Sequence, residues 1–315
     1  MQNKKIAVVN MAFGTGSESS ENGVSFDKFI GVAPYFVLGV NPNAEGLKKI
    51  YPSRDNIEEP SYIYAKEDDP VKGVFVTFHI KTNKDHKECN GVEVITRASY
   101  LLKGEPFTNK DKTKVQCINN YGDTIWLTPE QLKTKSLPEY AVNSSFIVEG
   151  LRPAFIGEAD LVNFLKDYIN IPNSRNYKDG NWVAKTGEDL KKAVCGFSIE
   201  EVKQILSGNM SVVKGAIKLQ PTNQIKFLTG VRTTDSNKEY QEVFTKYPMK
   251  LGITDYKRLD KEITAAKDSG AFSNTTFGVF PYKFQKYEVD STSFTQESSG
   301  QATVVESDPF AGFGA

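Results

Sequence analysis

The order of elements predicts an α+β fold rich in strands, with a β-barrel core interrupted by helices. Three observations carry this: strand-like alternation before residue 128, helix-like spacing between about 155 and 210, and a return of strand patterns after 212. A doubly wound fold would instead alternate strand and helix throughout.

Residues 1–30 read as an N-terminal arm, because the run around Phe13-Gly14-Thr15-Gly16-Ser17 is small, polar and rich in Gly and Ser. Gly14-Thr15-Gly16 lacks the Gly-Lys-Ser/Thr ending of a phosphate loop. Phe36–Val40 predicts a strand stopped by Asn41-Pro42-Asn43, and Asn43 then caps a short helix through Leu47 and Ile50. Residues 52–73 are polar and turn-rich and read as loop.

From Val74 to Lys81 the alternation puts Val74, Val76, Phe78 and Ile80 on one face and Phe75, Thr77, His79 and Lys81 on the other. Val92–Leu102 predicts a second strand bearing Arg97 and Tyr100. A Lys-rich loop, 103–112, precedes a strand over 114–119, a turn at Asn120–Asp123 and a return strand over 124–128. With Ile125 and Leu127 inward, Trp126 points outward.

Pro129–Leu132 reads as one helical turn. Leu161, Phe164, Leu165, Tyr168 and Ile169 make the apolar face of a helix from about Glu158 to Ile169, ended by Pro172. Two short helices follow, Gly187–Val194 and Ser198–Leu206, the second opening with a Ser198–Glu201 capping box. Strands are expected at Val212–Leu219, Ile225–Thr233 and Tyr240–Tyr247. A helix over Tyr256–Lys267, closed by Gly270, precedes a strand near Thr276–Phe284. The chain thus divides into the arm, a single domain over 31–286 with a helical insertion at about 155–210, and a disordered tail over 287–315.

At 39% hydrophobic and 25% charged residues, composition is that of a soluble globular chain, and no apolar run approaches a membrane span. The start leads into too short an apolar stretch for a secretory signal, and Cys89, Cys117 and Cys195 are too few and too widely spaced for a disulfide framework. A cytoplasmic protein is expected. The net charge of zero conceals an asymmetry: the last 29 residues carry −5 and no base, leaving +5 on residues 1–286. A basic body with an acidic tail is a pattern found among nucleic-acid binders.

Catalysis finds little support. His79 and His86 are the only histidines, and neither stands at a recognisable spacing from a nucleophile, so the reading is no enzyme. His86 and Cys89 have a plausible zinc-ligand spacing, with Cys117 a conceivable third, but a structural site needs four ligands. No metal and no cofactor are assigned.

A sheet face mixing rings with cations suits single-stranded nucleic acid, because bases stack on rings while Lys and Arg follow the phosphates. Phe75, Tyr100, Tyr121 and Trp126 are the stacking candidates; Lys81, Arg97, Lys114, Arg152 and Arg232 are the phosphate candidates. The competing reading is a meander whose outer aromatics are covered by another element.

Four blocks then carry a family likeness: Gly31-Val32 through Val40-Asn41-Pro42-Asn43 with Leu47; Ile118 through Trp126; Leu151-Arg152-Pro153-Ala154 with Gly157-Glu158 and the helix behind; and Phe227 through Arg232. In this order they resemble the single-stranded-DNA-binding proteins of tailed bacteriophages. The resemblance implies an OB-fold core that coats exposed strands during phage DNA replication, recombination and repair in the host cytoplasm, without cofactor or turnover. The Asp308-Pro309-Phe310 end, with Glu306 before it, is similar to the acidic, Phe-terminated tips by which such proteins recruit replication enzymes, although here Ala311–Ala315 follow Phe310. Two other readings stand beside this one: a β-rich virion protein, and a strand-annealing recombination protein.

Overall fold

Strict alternation along the longest strand sets the layering. The structure is a computed structural model that describes residues 28–218, 222–269 and 275–276. Its first half contains β1 (Gly31–Val40), α1 (Ala44–Ile50), β2 (Ile63–Lys66), β3 (Asp69–Thr82), β4 (Ile95–Lys103), β5 (Val115–Ile118), β6 (Thr124–Leu127), α2 (Pro129–Thr134), α3 (Glu139–Asn143) and β7 (Arg152–Pro153). There follow α4 (Glu158–Tyr168), β8 (Arg175–Lys178), β9 (Asn181–Ala184), α5 (Gly187–Lys191), α6 (Ile199–Leu206), α7 (Ser211–Lys218), β10 (Gln224–Thr233), β11 (Glu239–Val243), β12 (Met249–Lys250), α8 (Lys257–Asp268) and β13 (Thr275–Thr276). The Thr276–Phe284 strand beyond Thr276, Gly270, the arm up to residue 27 and the tail with Glu306, Asp308, Pro309 and Phe310 lie outside the described residues.

The fold is α+β and β-rich, and the strand pairings among the described residues are antiparallel. The main, eight-stranded sheet runs β11-β10-β1-β3, with β4 on the far edge of β3. Because β4 occupies one edge of β3 from Gly73 to Lys81, β1 and β2 share the other, β1 against Phe78–Thr82 and β2 against Asp69–Val74. Asn41 bridges that junction, giving its side-chain amide to Phe75 O at 2.9 Å and accepting from Thr77 N at 2.7 Å. Among the described residues no closed barrel forms, which corrects the barrel expectation at this level: β4 and β11 are not paired. Side chains nevertheless tie the two edges, Thr96 Oγ1 donating to Gln241 O at 2.9 Å and Tyr100 to Thr245 O at 3.2 Å.

Val74, Val76, Phe78 and Ile80 point into the core as the alternation requires, joined by Ala33 and Tyr35 from β1, Ala98, Tyr100 and Leu102 from β4, and Ile225 and Phe227 from β10. The α4 helix plugs the open end. Phe164 is fully buried, its ring centroid 4.2 Å from Phe78, 5.4 Å from Tyr100 and 6.0 Å from Phe227. Such ring pairs add about 0.5–1.5 kcal/mol beyond the burial itself. The helix enters at Gly157, whose φ of +80 and close approach to Leu101 O, 1.9 Å from a built Cβ, leave room for no other residue. On the opposite side of the sheet, Leu259, Ile263 and Ala266 of α8 pack over Val32 and Leu228.

Several expectations are corrected. Residues 74–128 are not one meander: β5, β6 and β7 form a separate three-stranded sheet, faced by Ala141 of α3. The 103–112 segment is not a free loop, since Lys103 N and Phe107 N donate to Ile156 O and Ala154 O, and Asn109 N closes the turn that follows onto Lys114 O. Residues 52–73 contain β2 and the start of β3. The strand expected over Val212–Leu219 is helix as far as the described residues reach, Lys218: β-branched residues raise strand propensity, but Met210, Val213 and Ile217 stand at helical spacing and α7 packs on the core beside α6. Lys28–Ile30 belong to the folded body, Phe29 exchanging backbone contacts with the Gln241 side chain at 2.8 and 2.6 Å.

Candidate nucleic-acid interface

Alternation assigns the outward row of β4 to Ile95, Arg97, Ser99 and Leu101, each half-buried, against the inward Thr96, Ala98, Tyr100 and Leu102. On β3 the outward row is Phe75, Thr77, His79 and Lys81, with His79 paired across to Arg97 and Thr77 to Ser99. This face is part covered. Tyr51, the residue capping α1, lies edge-on to His79 with centroids 5.6 Å apart, and its hydroxyl shares a 2.9 Å hydrogen bond with His79 Nδ1. Burial pushes His79 down to about 4, aided by repulsion from Arg97 and Arg54, so the imidazole is neutral at pH 7. Burial likewise pushes Tyr51 up to about 12. The centre of β3 therefore realises the competing reading, while the β4 row and both ends of β3 remain half-exposed.

Arg97 is the electrostatic focus of the face. Burial lowers its pKa, and Tyr51, Arg232, Tyr62 and Glu242 surround it closely enough to perturb it. Among the described residues, no hydrogen bond or ion pair engages its guanidinium. The Glu242 carboxylate attracts it without pairing with it, being 3.3 Å from Arg232, and a desolvated cation not directly paired gains when an anion arrives. Rings flank it on both sides. Toward α1, the Arg54 guanidinium sits 4.7 Å over Tyr51; toward β11, Arg232 sits 5.4 Å over Tyr240 and 3.3 Å from Glu242. At the far end of β3, Phe75 packs edge-on to Tyr64 at 5.8 Å, with Lys103 4.9 Å from the same Tyr64 ring. Lys81 is 3.5 Å from Glu93 and a third exposed.

The remaining candidates stand elsewhere. Tyr100 is corrected outright: its ring is buried against Phe78 and Phe164, so no base reaches it. Arg97 and Tyr100 differ by three positions on one strand, so parity alone separates their faces. Tyr121 is corrected too; it is 3% exposed and donates to Glu149 at 2.6 Å, which pushes it up to about 12. Arg152 is corrected as a phosphate contact, because it forks onto the fully buried Glu158 and donates to Pro153 O and Phe197 O at 3.0 and 2.8 Å. Lys114 and Trp126 belong to the three-stranded sheet, Lys114 exposed beside β5 and Trp126 half-buried with its ring 5.4 Å from Phe107. The structure thus brings Phe75, Lys81, Arg97 and Arg232 onto the outer face of one sheet and leaves the others off that face.

Sequence reading missed Tyr51, Arg54, Tyr62, Tyr64 and Tyr240 on this face. No periodic signal finds them, because all but Tyr240 and Tyr64 lie in connections, brought over the sheet by the Asn41 junction. As for metal, Cys117 sits in the second sheet's cluster, away from His86 and Cys89, and no group of three or more His, Cys, Asp or Glu among the described residues is arranged to hold an ion. No helix among the described residues is long and apolar enough to cross a membrane. Comparison with models of protein families, with curated proteins and with solved structures finds no match.

Proposed function

We propose that this chain is a non-enzymatic, sequence-independent binder of single-stranded DNA built on an OB-type core, serving phage DNA replication, recombination and repair. The observation that carries the reading is Arg97: a half-buried guanidinium with no hydrogen bond or ion pair among the described residues, on a sheet face bordered by Tyr51, Tyr62 and Tyr240. A phosphate supplies a direct ion-pair partner, and the half-buried Tyr62 and Tyr240 offer bases ring surface while Tyr51 walls the site.

Topology supports the OB-type reading. Counting β1, β3, β4, β10 and β11 as five successive strands, the order around the core is 1-2-3 on one side and 1-4-5 on the other, with strands three and five meeting at the unpaired seam. OB folds bind oligonucleotides on the face of strands two and three and through the loops joining strands one to two and four to five. Arg97 and Phe75 stand on the corresponding pair, Tyr51, Arg54 and Tyr62 in the first connection, and Arg232 and Tyr240 flank the second. The helical insertion, from α4 onward, falls between strands three and four.

The test is a fluorescence-anisotropy titration of labelled oligo-dT at 50 and 200 mM salt (conditions chosen at about the range over which counterion release is steep). Affinity should fall linearly on logarithmic axes, by a slope of about 0.7 for each phosphate engaged, and duplex of equal length should compete poorly. Absence of binding at the lower salt, or affinity indifferent to salt, overturns the reading.

A further inference from the structure

The β8–β9 hairpin plays no part in the interface above, yet it displays the most exposed aromatic pair among the described residues. Tyr177 is 64% and Trp182 44% exposed, paired across the strands with ring centroids 5.3 Å apart at 61°. The turn between them is tight: Asp179 and Gly180 both take positive φ, 49 and 81, the two-residue connection whose twist matches paired strands. The hairpin's root is held as well. Arg175 Nη1 donates to Ser144 O and Oγ, each at 3.0 Å, which fixes its guanidinium 5.6 Å from the Trp182 ring and 5.8 Å from Phe146. Lys185 N closes the base onto Ser174 O at 2.9 Å. Between residues 174 and 186 the charges are Arg175, Lys178 and Lys185 against Asp179 alone.

We propose that this hairpin is a second stacking contact for single-stranded nucleic acid, rising from the helical insertion and lengthening the track beyond the β3–β4 face; the inference rests on the function proposed above. A pre-fixed aromatic pair loses little freedom when a base stacks on it, and its flanking cations and the exposed amide of Asn176 match a phosphate chain. Each stacked base strengthens binding on the order of tenfold.

Trp126 and Trp182 are the chain's two tryptophans, so the full-length Trp126→Phe variant leaves Trp182 as sole reporter. Labelled oligo-dT of a short and a long length is titrated into it, reading anisotropy and tryptophan emission together. The expected result is quenching of Trp182 by the long oligonucleotide. In the otherwise native chain, Tyr177→Ala and Trp182→Ala should each weaken long-oligonucleotide binding about tenfold with the urea midpoint unchanged, since both side chains are exposed. Undiminished anisotropy binding with Trp182 unquenched, and with both alanine variants at native affinity, overturns the inference while the β3–β4 reading stands, and turns the hairpin toward a protein contact. Failure of every form to bind oligo-dT overturns both.

Discussion

Replacing Arg97 with Gln should weaken DNA binding without weakening the fold. In the native chain its guanidinium is half-buried, disfavoured by desolvation, repelled by Arg232 and engaged by no hydrogen-bond or ion-pair partner among the described residues. Deleting a charge in that setting removes no native pair, so the urea midpoint should correspond to a change within about 0.5 kcal/mol, with any shift toward stabilisation. Binding loses a charge-assisted contact of about 1.5–3 kcal/mol, and because Arg97 is only part desolvated the lower end applies, about tenfold in Kd. The slope of affinity against salt should also flatten by about 0.7. Urea melts followed by tryptophan emission give the first number, and anisotropy titrations at several salt concentrations give the others. Native affinity in a folded Arg97→Gln variant refutes the assignment, as does a stability loss above about 1 kcal/mol, which would mean that the guanidinium has a structural partner.

Glu158→Ala leaves Arg152 charged in a closed site and should lose about 3–5 kcal/mol in urea unfolding; a loss below 1 kcal/mol contradicts the clamp formed by their paired oxygens and nitrogens. Phe164→Ala, removing the ring that plugs the sheet, should lose about 3–5 kcal/mol, and native-like stability would show that α4 does not close the core. His79 gives a pH signature: its folded pKa of about 4 lies below the ordinary 6.5, so the unfolded chain takes up the proton first. Stability present above pH 6.5 is therefore lost as pH falls toward 4, by up to about 3 kcal/mol. Burial raises Asp167 to about 6, which acts in the opposite direction, so His79→Gln is the control. Its stability should fall less than the native chain's over that window; matching pH profiles contradict the buried neutral imidazole.

Local signals were legible where one short-range rule decides the outcome. Asn43 caps α1 by accepting from Gly46 N, Ser198 and Glu201 form their reciprocal box, and the Val74–Ile80 row faces the core. Failures came where neighbours distant in sequence decide. Val212 and Val213 favour a strand by themselves, yet burial beside α6 makes a helix. Arg152 reads as a surface cation until Glu158 is seen beneath it. Tyr100 needed only parity, and Asp179-Gly180 between Tyr177 and Trp182 carried the hairpin signal in plain view. The candidate face was half legible: β3 and β4 supplied Phe75, Lys81 and Arg97, but the α1–β2 connection that brings Tyr51, Arg54 and Tyr62 over them has no period to read.

The most direct test of where a strand lies is photocrosslinking of the full-length protein to an oligonucleotide carrying photoreactive thymines, followed by mapping of the modified peptides. Adducts within 51–81, 95–103 or 232–242 are predicted, centred on the residues around Arg97. Crosslinks confined to α8 or α2, with those three stretches unmodified, would contradict the account.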